Sequence, residues 1–183
     1  MLNIEQSALV IIDIQDKLVM ASKYGTEVAD NASKLAKAAN ILNIPTIVTE
    51  QYPQGLGGTV LEVQNALAQN SSKFEKTSFS ALLEENFANK IAELKQNGIK
   101  QIALCGIETH ICVLQTAYDL ISQGFEVYIV KDACASRNKK EYKTGLELLK
   151  QYGAKITCVE IALFEWLKTA KHPNFKEIQA LIK

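Results

Sequence analysis

The sequence predicts a doubly wound α/β domain, a three-layer α/β/α sandwich around a parallel sheet of five or six strands. Three observations carry this expectation. Amphipathic segments alternate with short apolar, β-branched runs at about 30 residues per unit, the spacing of strand–helix–strand crossovers. The strand candidates are nearly continuous apolar runs rather than alternating ones, as expected of strands buried on both faces. The chain has 183 residues, a little above the roughly 150 of an average domain, and shows no repeat, low-complexity tract or linker, so residues 1–183 read as one domain.

Ala8-Leu9-Val10-Ile11-Ile12 is the clearest strand, with a helix beginning near Asp16. Ala32, Leu35, Ala39 and Leu42 then lie at helical spacing, and Asn43-Ile44-Pro45 breaks that helix before the strand Thr46-Ile47-Val48-Thr49. The stretch 51–72 interrupts the rhythm. Its segment Tyr52-Pro53-Gln54-Gly55-Leu56-Gly57-Gly58 is rich in turn formers and reads as a crossover loop. Its glycines lack the G-x-G-x-x-G order, and no Lys-Ser/Thr pair follows, so a phosphate loop is disfavoured. Phe87, Ile91 and Leu94 mark the next helix, stopped by Gly98 ahead of a strand over 99–105. Val113, Thr116, Ala117 and Leu120 mark another, stopped by Gly124 ahead of a strand over 127–130. Tyr142, Leu146 and Leu149 mark the last, stopped by Gly153 ahead of a strand over 155–159. Glycine just past a helix accepts the left-handed conformation that other residues resist.

Composition narrows the function. Apolar residues make up 48% and charged residues 22%, which excludes a disordered chain. Uncharged stretches fall far short of the ~20 residues of a membrane span, so no bilayer crossing is expected. Twenty basic side chains balance twenty acidic ones, and Arg137 is the sole arginine. A nucleic-acid binder ordinarily carries a basic excess and arginine forks, so that class is disfavoured. The start Met1-Leu2-Asn3-Ile4-Glu5 does not resemble a secretory signal. Four cysteines without C-x-x-C spacing predict free thiols in a reducing cytoplasm.

In an open α/β sheet the working groups gather at the carboxyl ends of strands. Asp13 stands at the end of the first apolar run, where it is either a functional carboxylate or the cap of the helix near Asp16. Cys112 falls in the first turn of the helix after the fourth strand. Backbone N–H groups there favour a thiolate, although a small buried hydrophobe is the alternative reading. Cys105 and Cys158 lie in strand candidates and read as core; Cys134 lies on a loop and stays open. His110 is two residues from Cys112, about 200° around a helix, and reads as a solvated or interface residue rather than a base. His172 precedes Pro173 and reads the same way. Without a histidine base, a cysteine nucleophile needs a carboxylate to move protons and an ammonium to favour the thiolate. Asp13 is the candidate for the first, and Lys73 or Lys76 for the second.

Taken together, these segments resemble the isochorismatase-like, or cysteine hydrolase, superfamily along essentially the whole chain. Val10-Ile11-Ile12-Asp13-Ile14-Gln15 resembles its aspartate motif and Lys76-Thr77-Ser78-Phe79-Ser80 its lysine motif. Gly106-Ile107-Glu108-Thr109-His110-Ile111-Cys112-Val113 resembles the segment that carries its nucleophile. The blocks Thr49-Glu50-Gln51-Tyr52-Pro53-Gln54-Gly55-Leu56-Gly57, Asp132-Ala133-Cys134-Ala135-Ser136-Arg137 and His172-Pro173-Asn174-Phe175-Lys176-Glu177-Ile178-Gln179 are similar to the isochorismatase domain-containing proteins and their microbial relatives.

The resemblance implies an Asp13–Lys76–Cys112 triad on a six-stranded parallel sheet and a cis peptide between Ile107 and Glu108. It further implies an oxyanion hole from the N–H groups of Glu108 and Cys112, and a homo-oligomer. The implied activity is hydrolysis of a small amide, imide, ester or thioester, with amides foremost, through a thioacyl-enzyme in which the sulfur is held as an anion beside the ammonium. Glu50, Tyr52 and Phe79 are candidates to line the substrate pocket. Nicotinamidases of the superfamily hold a metal through aspartate and histidines. No histidine lies between Asp13 and Lys76, so neither a metal nor another cofactor is expected, and nicotinamide is disfavoured as substrate. Isochorismatases proper generally lack the cysteine and cleave a vinyl ether; Cys112 points instead to acyl chemistry. A thiol redox or regulatory protein using Cys112, and a non-catalytic scaffold of this fold, are the rival readings.

Overall fold

Helix-terminating residues and apolar runs divide the chain into elements in the predicted alternation. The computed structural model describes all 183 residues. In chain order these are β1 (Ser7–Ile12), α1 (Asp16–Ala21), α2 (Gly25–Ile41), β2 (Thr46–Gln51) and two single helical turns, α3 (Pro53–Leu56) and α4 (Leu61–Gln64). There follow β3 (Ser72–Lys76), α5 (Glu85–Gln96), β4 (Gln101–Ile107) and a π-helical turn (Thr109–Val113) running into α6 (Leu114–Ser122). The remainder is β5 (Glu126–Ala135), α7 (Lys139–Gln151), β6 (Lys155–Thr157), α8 (Val159–Leu167) and α9 (Phe175–Ala180). Past α5, α6 and α7, Gly98, Gly124 and Gly153 adopt φ of +89°, +87° and +97°, the left-handed stop expected of them.

All six strands pair in parallel in the order β3-β2-β1-β4-β5-β6. From β1 the chain winds outward to β3, then crosses back to β4 and winds outward the other way. Right-handed crossovers therefore put the helices of the two halves on opposite faces of the sheet. Residues Ala8 to Ile12 have no solvent exposure, which explains why β1 reads as an unbroken apolar run. Burying Leu9, Val10, Ile11 and Ile12 stabilises the fold by about 6–12 kcal/mol in all, taking ~1.5–3 kcal/mol per large aliphatic side chain as an upper figure. Trp166 of α8 is wholly buried and donates its indole N–H to Ser7 Oγ (3.1 Å), tying the last long helix to the first strand.

Several boundaries differ from the sequence reading. The helix marked by residues 32–42 begins earlier, at Gly25, and the loop over 51–72 contains two helical turns and the start of β3. β3 escaped the apolar-run criterion because it is an edge strand whose residues alternate between exposed and more buried. β6 ends at Thr157, so Cys158 is not a strand residue but the N-cap of α8; the N–H of Val159 is taken by the Asp132 carboxylate (2.9 Å). Cys134 is not on a loop. β5 continues through it to Ala135, and the residue is buried.

The reversal of winding falls between β1 and β4. Ile12 pairs with Thr49 on one side and with Gly106 on the other, so the crevice beyond Ile12 is the topological switch point, where open α/β sheets bind ligands. Gly106 is required here. It has φ +138°, and a Cβ on it would come within 2.0 Å of the Ile12 carbonyl oxygen.

Candidate active site

Three buried reactive side chains converge at this crevice, one from the end of each of three strands. Asp13 follows β1, Lys76 ends β3, and Cys112 sits in the π-helical turn after β4. Their exposures are 0%, 3% and 6%. A buried carboxylate needs compensation, and Asp13 has it on both oxygens. Thr49 donates its hydroxyl to Oδ1 (2.6 Å), and the Lys76 ammonium lies 2.7 Å from Oδ2. Oδ2 has that ionic contact but no well-directed hydrogen bond, so a lone pair stays open for a proton. Asp13 takes φ +51°, a left-handed turn that Asp tolerates better than most residues. The N-cap of α1 is Gln15, so Asp13 is not a helix cap.

Lys76 is held by more than Asp13. Its Nζ donates to Gln51 Oε1 (2.6 Å) and to the carbonyls of Ser78 (3.2 Å) and Phe79 (3.3 Å). The turn carrying those carbonyls is pinned by Glu84, whose Oε1 accepts from the N–H groups of Thr77 and Ser78 and from the Ser78 hydroxyl. These bonds, led by the Ser78 hydroxyl, hold the Glu84 carboxyl below its usual range. Lys73 points away, paired with Glu50 at 3.3 Å and half-exposed, so the geometry separates the two lysines.

Around Cys112, burial pushes the thiol up to about 12; the Asp13 charge adds to the rise and the Lys76 charge opposes it. This overturns the expected resting anion. Inside a nearly dry crevice, desolvation and a carboxylate outweigh one ammonium, so the resting sulfur is a thiol whose proton faces a carboxylate. The peptide bond between Ile107 and Glu108 is cis. The Glu108 carbonyl accepts from the N–H groups of Ile111 and Val113, and its carboxylate takes the N–H and Nε of Arg137 (2.9 and 3.0 Å). His110 is half-buried and keeps contact with a surface hollow beside α7. Its Nδ1 meets Ser136 Oγ at 2.9 Å, and α7 packs so closely that a Cβ on Gly145 would stand 3.0 Å from His110 Cα. His172 Nδ1 accepts from the N–H of Asn174, a local turn.

Of the pocket candidates, Glu50 is buried and turned to Thr59, whose N–H and hydroxyl each donate at 2.7 Å. Burial would raise its carboxyl, but the Thr59 bonds and Lys73 bring it below the usual range. Tyr52 and Phe79 are 55% and 53% exposed. A separate cavity of about 260 Å³ lies between α2 and α7, lined in part by Tyr24, Lys131, Cys134 and Tyr142, and does not reach Asp13, Lys76 or Cys112. No three His, Cys, Asp or Glu side chains gather as metal ligands would.

Thr49, Gln15, Gln51 and Glu84 were missed by sequence reasoning. The one available signal was polar residues placed at or just past the carboxyl ends of apolar runs, which describes Thr49, Gln15 and Gln51 but not Glu84.

Comparison with known proteins gives a consistent result. A family model described as the isochorismatase domain matches residues 7–161. "Isochorismatase domain-containing protein 2" of Danio rerio is 42% identical over 182 residues, covering 99% of this chain and 89% of the relative. The protein of the same name from Xenopus laevis is 39% identical over 178 residues, covering 96% and 83%. Among solved structures, one described as the MAR1 ribonuclease from Caenorhabditis elegans superposes with a TM-score of 0.93 at 39% identity, covering 99% of this chain and 91% of that one.

Proposed function

Because the chain belongs to the isochorismatase family, we propose that it is a cysteine hydrolase that cleaves a small acyl compound, an amide foremost, through a thioacyl-enzyme on Cys112. The observation that carries this reading is the convergence of Asp13, Lys76 and Cys112, with the Asp13–Lys76 pair at 2.7 Å and both charges acting on the sulfur.

Asp13 takes the thiol proton as the sulfur attacks the substrate carbonyl carbon, forming a C–S bond and an alkoxide. The N–H groups of Glu108 and Cys112 receive that oxyanion, each such donor being worth about 3 kcal/mol in the transition state. The Lys76 ammonium offsets the charge on sulfur while Asp13 holds the proton. Asp13 then returns it to the leaving nitrogen as the C–N bond breaks. Water, deprotonated by Asp13, attacks the thioester carbonyl, and the sulfur leaves with the proton restored. The crevice is nearly closed, which suits a small acyl group, and half-exposed Tyr52 and Phe79 are assigned to its mouth. A homo-oligomer of the chain belongs to the same reading, supported by the exposed apolar side chains Leu83 and Tyr118, which line one surface hollow.

A thiol redox role has less support, because redox-sensing cysteines are low-pKa and accessible, whereas Cys112 is buried and raised. Phosphodiester chemistry, suggested by the name of the nematode structure, also has less support: basic and acidic residues balance, and the one arginine is engaged by Glu108. The test is a panel of amides, imides, esters, thioesters and a short RNA, run on the wild type, Cys112→Ala and Cys105→Ala. Acyl hydrolysis abolished by the first substitution and kept by the second is expected. Equal loss in both, or cleavage of RNA alone, overturns the reading.

A further inference from the structure

The Lys76 ammonium has three protons and faces four oxygens, of which Gln51 Oε1 is the nearest at 2.6 Å. Gln51 is also the only uncharged side chain among these partners. Its other polar atoms are all committed. The backbone N–H donates to Gln15 Oε1 (2.7 Å), the backbone carbonyl accepts from Gln15 Nε2 (3.0 Å), and the side-chain Nε2 donates to the Thr77 carbonyl (2.8 Å). Gln15 is wholly buried and also donates to the Gly57 carbonyl (2.6 Å). With its amide nitrogen spent on a carbonyl, Gln51 presents only oxygen to the amine.

We propose that Gln51 is a positioning residue: its Oε1 keeps the Lys76 ammonium against the Cys112 sulfur at the moment Asp13 receives the sulfur's proton. The inference rests on the reading of Cys112, Asp13 and Lys76 given above. While Asp13 is anionic, its charge alone can hold the amine. Once protonated, it attracts the ammonium no more than a neutral group does, and apart from Gln51 only two carbonyls beyond 3 Å are left. An uncharged acceptor fixes the amine without neutralising it, so the positive charge stays available to the new thiolate. The acidic groups that face Lys76 are Asp13 and, across the Thr77–Ser78 turn, Glu84. A carboxylate at position 51 would add an anion directly on the amine and disfavour ionisation of the sulfur.

The experiment is the rate of Cys112 alkylation by iodoacetamide, read by peptide mass mapping at several pH values from about 7.5 to 10, where the rate follows the thiolate fraction. The proteins are the wild type, Gln51→Glu, Gln51→Met, Lys76→Met and Gln64→Ala. Gln64 holds the same loop through the Thr59 carbonyl without touching the ammonium. Both Gln51 variants are expected to run about tenfold or more below the wild type at each pH, with unchanged circular dichroism, while Gln64→Ala keeps the wild-type rate. Should Gln51→Met fail to fold, Gln51→Glu, which keeps the size and an acceptor oxygen, decides alone. Wild-type rates in the Gln51 variants, with Lys76→Met slowed, overturn the role of Gln51 and leave the triad standing. An equal slowing by Gln64→Ala overturns it too, as a loop effect. Wild-type rates in Lys76→Met would remove the triad reading itself.

Discussion

The Asp13–Lys76 pair is buried on both sides, and its energetics are asymmetric. Removing one partner leaves an uncompensated charge in a dry crevice, which typically costs about 3–5 kcal/mol, whereas replacing both by apolar groups is often close to neutral. Asp13→Leu and Lys76→Met should therefore each lower the urea midpoint strongly, and the double variant should recover much of the loss. Additive losses would mean that the two charges do not stabilise each other. Asp13 and Cys112 stand out in the sequence because residue types that carry chemistry lie at the carboxyl end of a strand and at a helix start. Lys76 is separated from Lys73 only by the resemblance of its motif, since the strand it ends is not legible as one. Thr49 and Gln51 do not stand out, since a hydroxyl and an amide are common surface groups, and only the fold shows that one bonds the carboxylate and the other the ammonium. For Cys112 a helix start and a nearby lysine suggest an anion, whereas burial of the folded site, with the Asp13 charge beside it, pushes the thiol up.

Among the elements, β1 and β4 set the site, and their approach depends on Gly106. A methyl group there meets the Ile12 carbonyl at 2.0 Å, while one at Gly98 meets nothing within 4 Å. Gly98→Ala should cost only the left-handed backbone penalty, about 1–2 kcal/mol. Gly106→Ala should cost more, since β1 must shift, and should weaken hydrolysis by moving Asp13. Equal urea midpoints for the two would show that the strands are not in close register here. Central strands were legible because burial on both faces gives unbroken apolar runs. β3 was not, because an edge strand half open to water keeps Lys73 and Glu75 exposed. The extent of β5 was underread for a related reason: exposed Lys131 and half-buried Asp132 look like a strand end, yet the strand runs on to the buried Cys134.

At the scale of the molecule, the buried thiols link folding to pH. Cys112 and Cys134 are each pushed up to about 12, chiefly by burial, whereas an unfolded thiol ionises near 8.5. Below that value both states keep the proton and these groups do not change stability with pH. Above it the unfolded chain loses protons that the folded chain retains, so stability falls by roughly 1 kcal/mol per pH unit per thiol until the folded value is reached. Urea unfolding followed by Trp166 fluorescence should show a decline beginning near pH 8.5, made shallower by Cys134→Ala. A flat profile from about pH 8 to 10 would contradict the burial of these sulfurs.

The assignment of Cys112 as the acylated atom is tested most directly by rapid quench of the enzyme with an activated ester, followed by intact mass and peptide mapping. One acyl group, on the peptide containing Cys112 and absent from Cys112→Ala, is the predicted result. Turnover of the ester with no covalent adduct at any time point, or an acyl group on another residue, would contradict it.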